Sequence, residues 1–311
     1  MTAKKKADLG QLLGDTPKAF DADNKFAAVL TDYWMDRDTD YRPMSRPDAN
    51  MRMSSAGDCA RLLALTMITS PEDREPMERA GRYITTQGTE MHTLWGKAMK
   101  WKYGSRALLE PAVSIKRGRL LLSGHSDCLL EATAKDPVKR LLELKSTGAF
   151  KFTMAIGAGW ASKEPGPAYN AVIQAALNAL AHDADTATVI YLPMGSVSRS
   201  AIQKAKLPAL VQEGVSWTYS REEYEPIAER ELARMERIVD LVLWGRVLAP
   251  RIVGHPENNE IPHDAEIVDP DTGKWQSEGG AGTWWRCSYC SMREACIEAG
   301  PGTPVIDQGL L

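Results

Sequence analysis

The sequence predicts an α/β fold, and two observations predict it. Between residues 107 and 192 the chain reads as three strands, a helix and a strand, with helices before them. That order builds a sheet covered by helices rather than a bundle or a sandwich. The composition agrees: 43% of the 311 residues are hydrophobic and 25% charged, which excludes disordered and collagen-like classes. The length suggests roughly two structural units.

The elements follow in order. Residues 17–36 carry Phe20, Phe26, Val29, Leu30 and Tyr33 at mixed three- and four-residue spacing, a helical pattern. Residues 37–52 are rich in Asp, Arg and Pro and read as loop. Ser54 and Ser55 stand as N-caps before a helix over 56–69. Residues 73–103 read as helix with a break near Gly88. Residues 107–117 and 119–131 read as strands around a turn at Arg117-Gly118, and 138–146 as a third strand. A Gly/Pro-rich loop from Gly157 to Pro167 precedes an alanine-rich helix, Ala168 to Ala181. Thr186 to Leu192 is an apolar strand. A strand over 215–220 and a helix over about 222–247 follow, then a polar, Pro/Gly-rich stretch over 250–286. This organises the chain as a helical region over 1–104, a core over 105–200 and a helical region over 201–311.

The formal net charge is -3, from 38 basic and 41 acidic residues, which excludes a generally basic nucleic-acid coat. No apolar run approaches a membrane span, and no apolar stretch follows the lysines of Met1 to Lys6. The expectation is a soluble, cytoplasmic protein with no membrane partner. Charge is uneven, however. From Trp95 to Lys151 there are twelve Lys and Arg against five Asp and Glu. The excess includes Lys97, Lys100, Lys102, Lys116, Arg117, Arg119, Lys139 and Arg140. A basic stretch suits a phosphodiester backbone, whereas any single run of charge is more usually a solvated face. Trp160 and Lys163, in the Gly/Pro loop, suit either base stacking or loop anchoring.

The third strand contains Leu142-Glu143-Leu144-Lys145. Side chains alternate along a strand, so Glu143 and Lys145 share one face. A carboxylate there can hold a hard divalent cation, and a lysine beside it can orient a water. Glu-x-Lys alone is weak, since roughly one is expected by chance in a chain of this length. The preceding strand strengthens it. Asp127, in Gly124-His125-Ser126-Asp127-Cys128, is a lone acid in an otherwise apolar strand and is costly to bury unless paired or ligating. As hairpin neighbours, Asp127 and Glu143 can meet over one cation. Oxygen ligands suit Mg²⁺ or Mn²⁺ rather than Zn²⁺.

Cysteine usage is the second signal. The five are Cys59, Cys128, Cys287, Cys290 and Cys296, too few and too odd in number for a disulfide scaffold. Cys287, Cys290 and Cys296 form a compact three-thiolate cluster that needs a fourth donor for Zn²⁺ or an iron–sulfur cluster. No further cysteine or histidine is local. Cys128 points to the core face, opposite Asp127, as a buried thiol. That leaves Cys59.

Together these residues resemble the PD-(D/E)XK nuclease superfamily. Gly124-His125-Ser126-Asp127 and Glu143-Leu144-Lys145 look like its second and third motifs. Cys59-Ala60-Arg61 with Cys287-x₂-Cys290-x₅-Cys296 is similar to its iron–sulfur branch, which includes RecB-like nuclease domains and CRISPR-associated exonucleases. The resemblance spans about residues 54–297. It implies a restriction-endonuclease-like core, a mixed central sheet flanked by helices, with helical parts joined by a 4Fe–4S cluster. It implies metal ligands His92 (in Gly88-Thr89-Glu90-Met91-His92), Asp127, Glu143 and the Leu144 carbonyl, with His125 as the rival histidine. It implies Lys145 as the catalytic lysine, and Gln174 as a residue that positions lysine or substrate. The family's Gln-x-x-x-Tyr motif has Asn178 at its tyrosine here, with Tyr169 as a candidate substitute. Trp284 and Trp285 would shield the cluster, and zinc remains the alternative at the cysteines. The implied function is a Mg²⁺- or Mn²⁺-dependent DNA exonuclease acting on single-stranded or duplex ends. The alternatives are a non-catalytic DNA-binding or adaptor subunit, and a DNA-trimming nuclease of CRISPR adaptation or recombination. A homo-oligomer and recombination or CRISPR partner proteins are compatible with each.

Overall fold

The computed structural model describes residues 50–69, 79–157, 166–204, 206, 213–249, 252–253, 261–262, 290–299 and 304–306. The helix expected over 17–36, Trp160, Lys163, Trp284, Trp285 and Cys287 lie outside the described residues.

In chain order the main elements are β1 (Met51–Arg52), α1 (Ala60–Ile68), α2 (Arg79–Tyr103), β2 (Ala107–Leu109), β3 (Ala112–Arg117), β4 (Leu120–His125), β5 (Cys128–Leu130) and β6 (Arg140–Gly148). Then come α3 (Ala149–Ala155), α4 (Tyr169–Ala181), β7 (Thr186–Met194), α5 (Arg199–Lys204), β8 (Val215–Ser220), α6 (Arg221–Leu243), the short pair β9 (Ile252–Val253) and β10 (Ile261–Pro262), and α7 (Arg293–Glu298). The fold is mixed α/β. A five-stranded sheet runs in the order β2-β5-β6-β7-β8, and a three-stranded sheet in the order β1-β4-β3.

β6 and β7 pair in parallel over nine residues, from Arg140↔Thr186 to Gly148↔Met194. The other pairs of the larger sheet are antiparallel. A parallel pair needs a crossover, which α3 and α4 supply. Helices cover both faces. Cys128, Leu130, Leu142 and Ile190 pack with Trp95, Met99 and Tyr103 of α2. The opposite face, with Leu129, Leu141, Ala187 and Val189, packs with apolar residues of α4 and α6.

Several expectations need correction. The strands expected over 107–117 and 119–131 are each divided: β2 stops at Leu109 and β3 starts at Ala112, while β4 stops at His125 and β5 starts at Cys128. The whole two-stranded ribbon bends here and passes from one sheet to the other. Pro111 has no amide to give to a ladder, and Glu110 takes a positive φ of 48°. Cross-bonds hold the corner: the Glu110 amide donates to the Asp127 carbonyl, and the Ser126 amide to that of Pro111.

Ser54 and Ser55 do not cap α1. They lie in a single 3₁₀ turn, and α1 begins at Ala60 with Cys59 at the cap position. α2 runs unbroken through Gly88. A β-carbon there would lie 3.4 Å from Ser146 Oγ, so the glycine lets helix and strand approach rather than breaking the helix. α3 follows β6 directly, over residues for which the sequence pattern predicts no element.

The start of α1 is fastened to α6 by a buried ion pair. The Arg234 guanidinium donates to both oxygens of Glu231 at 2.8 Å and to the Asp58 carbonyl at 3.0 Å. Glu231 also accepts the Gly57 amide at 2.8 Å. Gly57 has φ +79°, and a β-carbon would sit 3.1 Å from Asn170 of α4, so conformation and space both require glycine.

The candidate metal centre and the cysteine helices

β5 ends opposite Leu142, at the pair Cys128↔Leu142. β6 continues to Gly148, so its edge beyond Leu142 has no strand beside it there. Asp127, at the ribbon's corner, occupies the start of this gap. Its Oδ2 accepts the Leu144 amide at 2.6 Å. In a strand the amide and carbonyl of one residue point to the same side, so the Leu144 carbonyl faces the same gap.

His92 reaches Asp127 from α2, its Nδ1 3.2 Å from Oδ1. This hydrogen bond raises the His92 pKa above its ordinary value; burial pulls it down, and the Asp127 charge adds to the rise.

Glu143 and Lys145 share a face, as strand alternation expects. Lys145 Nζ lies 2.9 Å from Glu143 Oε1 and donates to Gln174 Oε1 of α4 at 2.8 Å. The glutamate is 1% exposed. Burial pushes its pKa up, and the Asp127 charge adds to that, against the pull of Lys145. Burial disfavours the ammonium of Lys145, but the Glu143 carboxylate outweighs it, and the Lys145 pKa rises. Tyr191, register partner of Lys145 on β7, accepts the Ala168 amide with its hydroxyl at 2.8 Å and so fixes the start of α4.

Asn178 belongs to the same constellation. One turn beyond Gln174, it donates Nδ2 to Glu143 Oε2 at 3.0 Å. Two polar residues four apart on the buried face of an alanine-rich helix were the available signal. Tyr169 turns elsewhere: its hydroxyl accepts from Arg230 of α6 at 2.6 Å. His125 ends β4 as an exposed residue. Ser126 is fully buried, with Oγ 2.8 Å from His182 Nε2 at the C-terminal end of α4.

Much of the basic stretch is neutralised within the fold. Arg117 pairs with Glu229 and Glu236 of α6, and Arg119 with Asp240. Arg140 pairs with Asp136, and Lys139 with Glu131. Lys97, Lys100, Lys102 and Lys116 are exposed.

Among the described cysteines, Cys128 packs in a different apolar cluster from Cys290 and Cys296. Cys128 is fully buried, and burial pushes its thiol up to about 11. α7, which carries Cys296, packs against α1, which Cys59 caps. Burial pushes the Cys290 thiol up to about 11, and the nearby Cys59 and Cys296 add to the rise. Among the described residues, no three His, Cys, Asp or Glu side chains are placed to hold a metal ion together. No helix among them is long and apolar enough to cross a membrane.

In donor type, though not as a grouped set of three side chains among the described residues, the residues match the groups that the sequence implied. At the first site, two repelling acids and a carbonyl are hard oxygen donors of the kind Mg²⁺ and Mn²⁺ take. At the second, thiols are soft donors of the kind Zn²⁺ and iron–sulfur clusters take.

The chain matches no protein-family profile and no curated protein. Among solved structures it is similar to SSO0001, at 10% identity and a TM-score of 0.45, over 87% of this chain and 95% of that one. It is also similar to an alkaline exonuclease, LHK-Exo, from Laribacter hongkongensis, at 12% identity and a TM-score of 0.37, over 63% and 93%. The same enzyme in complex with dAMP matches at 13% identity and a TM-score of 0.32, over 62% and 90%.

Proposed function

We propose that this chain is a metal-dependent deoxyribonuclease, an exonuclease that hydrolyses phosphodiesters at DNA ends, single-stranded ends in particular. The observation that carries the reading is the Lys145 ammonium, held between Glu143 and Gln174 beside a second acid, Asp127. A module that only binds DNA has no need of that grouping.

His92, Asp127, Glu143 and the Leu144 carbonyl would hold Mg²⁺ or Mn²⁺. When bound, the ion supplies Lewis acidity toward the phosphate and activates water. Lys145 donates a hydrogen bond to the attacking water and balances negative charge as the phosphate is attacked. Gln174 accepts from Lys145 and keeps it aimed. The exposed lysines of α2 bind the DNA backbone.

Cys59, Cys287, Cys290 and Cys296 would hold a 4Fe–4S cluster, with zinc as the alternative. The group is structural: its binding free energy becomes folding free energy by joining α1 to the end of the chain.

The test uses end-labelled single-stranded and duplex DNA with Mn²⁺, Mg²⁺ or EDTA. Cleavage with metal, lost by about a hundredfold or more in a folded Lys145→Ala protein, is the expected result. Undiminished cleavage in that variant, or DNA binding without cleavage in the wild type, overturns the reading. Iron and zinc analysis of anaerobically purified protein decides the cysteine cofactor, with about four irons per chain expected.

A further inference from the structure

We infer that Asn178 is a positioning residue for the metal-holding acid: its amide fixes the Glu143 carboxylate in the orientation that receives the cation. This rests on the metal-site reading above.

Asn178 sits where the packing of α4 calls for an apolar side chain. Its neighbours Ala175, Ala176, Leu177 and Ala179 are fully buried, and so is Asn178. Nδ2 donates to Glu143 Oε2. Oδ1 is buried with no hydrogen-bond partner among the described residues. An unpartnered buried acceptor is unfavourable, so packing alone gives this amide no reason to be here.

Its geometry supplies one. Glu143 carries one donor on each oxygen, Lys145 on Oε1 and Asn178 on Oε2. A carboxylate has about four lone-pair positions, so two donors orient the group and leave positions for a cation. Lys145 alone would leave the carboxylate free to rotate about its last bond. Partners of this kind, which bond to a ligand rather than to the metal, hold ligating groups in place. Asn178 also spans α4 to β6, so the helix that aims Lys145 through Gln174 aims Glu143 as well.

The test measures Mn²⁺ binding without DNA, by the loss of the free-ion electron paramagnetic resonance signal, together with the Mn²⁺ dependence of cleavage. Asn178→Leu keeps the branched outline of the amide in a larger apolar side chain and removes the donor. Asn178→Ala removes the donor without adding bulk or charge. Both are expected to weaken Mn²⁺ binding by about 10- to 100-fold. Cleavage at saturating Mn²⁺ is expected to recover to within a few-fold of wild type. Wild-type Mn²⁺ affinity in a folded variant overturns the inference, as does lost turnover with the affinity unchanged. A wild type that binds Mn²⁺ but does not cleave DNA overturns the nuclease reading, while the affinity comparison still decides the role of Asn178. Should Asn178→Leu fail to fold, Asn178→Ala, which adds no bulk to this alanine-rich face, carries the comparison.

Discussion

Asp127 and Leu144 are joined by a hydrogen bond that belongs to no ladder. The Leu144 amide donates to Asp127 Oδ2 at 2.6 Å, where β5 has ended and β6 continues. The carboxylate therefore has two duties, completing the sheet edge and carrying negative charge into the gap.

The two duties separate by substitution. Asp127→Asn keeps an oxygen for the Leu144 amide, so at alkaline pH, where His92 is neutral in both states, its thermal midpoint is expected to stay near wild type. Metal-dependent cleavage is expected to fall by about a hundredfold or more. Asp127→Ala also leaves the amide without its partner, costing about 1–3 kcal/mol in addition. Parallel melting curves and cleavage assays measure both, and equal midpoints for the two variants would contradict the dual role.

His92 gives the metal-free protein a pH signature. Its hydrogen bond to Asp127 raises its pKa in the folded state above the ordinary 6.5. The folded form thus binds the proton more tightly than the unfolded form. The resulting stabilisation is full below 6.5 and is lost as pH rises through the raised folded value. In EDTA, the difference in melting temperature between wild type and His92→Gln should be largest on the acid side and shrink toward alkaline pH. A difference independent of pH would remove the His92–Asp127 bond as its source.

The buried pair on α6 should be severe to break and mild to replace. Arg234→Met strands the Glu231 carboxylate, which is 2% exposed. It is expected to cost about 3–5 kcal/mol. Glu231→Leu together with Arg234→Met removes both charges and should recover part of that loss. Urea unfolding of the single and double variants gives the comparison. A double variant no more stable than the single would show that the bonds to Gly57 and Asp58 outweigh the stranded charge.

The parts of the site that depend on local periodicity were legible in the sequence. Glu143 and Lys145 share a face because strands alternate, and Gln174 falls on the covering helix because that helix is an unmistakable apolar run. Asn178 was equally visible, four residues on, but reading it as a missing tyrosine hid its own chemistry. The position of Asp127 on a corner was not legible. Pro111 hinted at an interrupted ladder, yet the bend is made by bonds between the two arms of the ribbon. Gly88 misled because glycine's low helix propensity and its service in close packing look alike in a sequence. The arginines at the ribbon tip read as a surface for DNA because their acidic partners, Glu229, Glu236 and Asp240, lie 112 to 121 residues further on.

The fastening of Gly57 to Glu231 spans 174 residues, and that distance orders events during synthesis. At roughly 5–20 residues per second, about nine to thirty-five seconds separate the making of the Gly57–Cys59 turn from that of the carboxylate that holds it. Until α6 has been made, α1 has neither that anchor nor α7, which packs against it. The β-ribbon, β6, α4 and β7 are all complete before then. The nascent protein therefore builds its acidic centre first and closes its N-terminal clasp last, with Cys59 still outside that clasp in the interval.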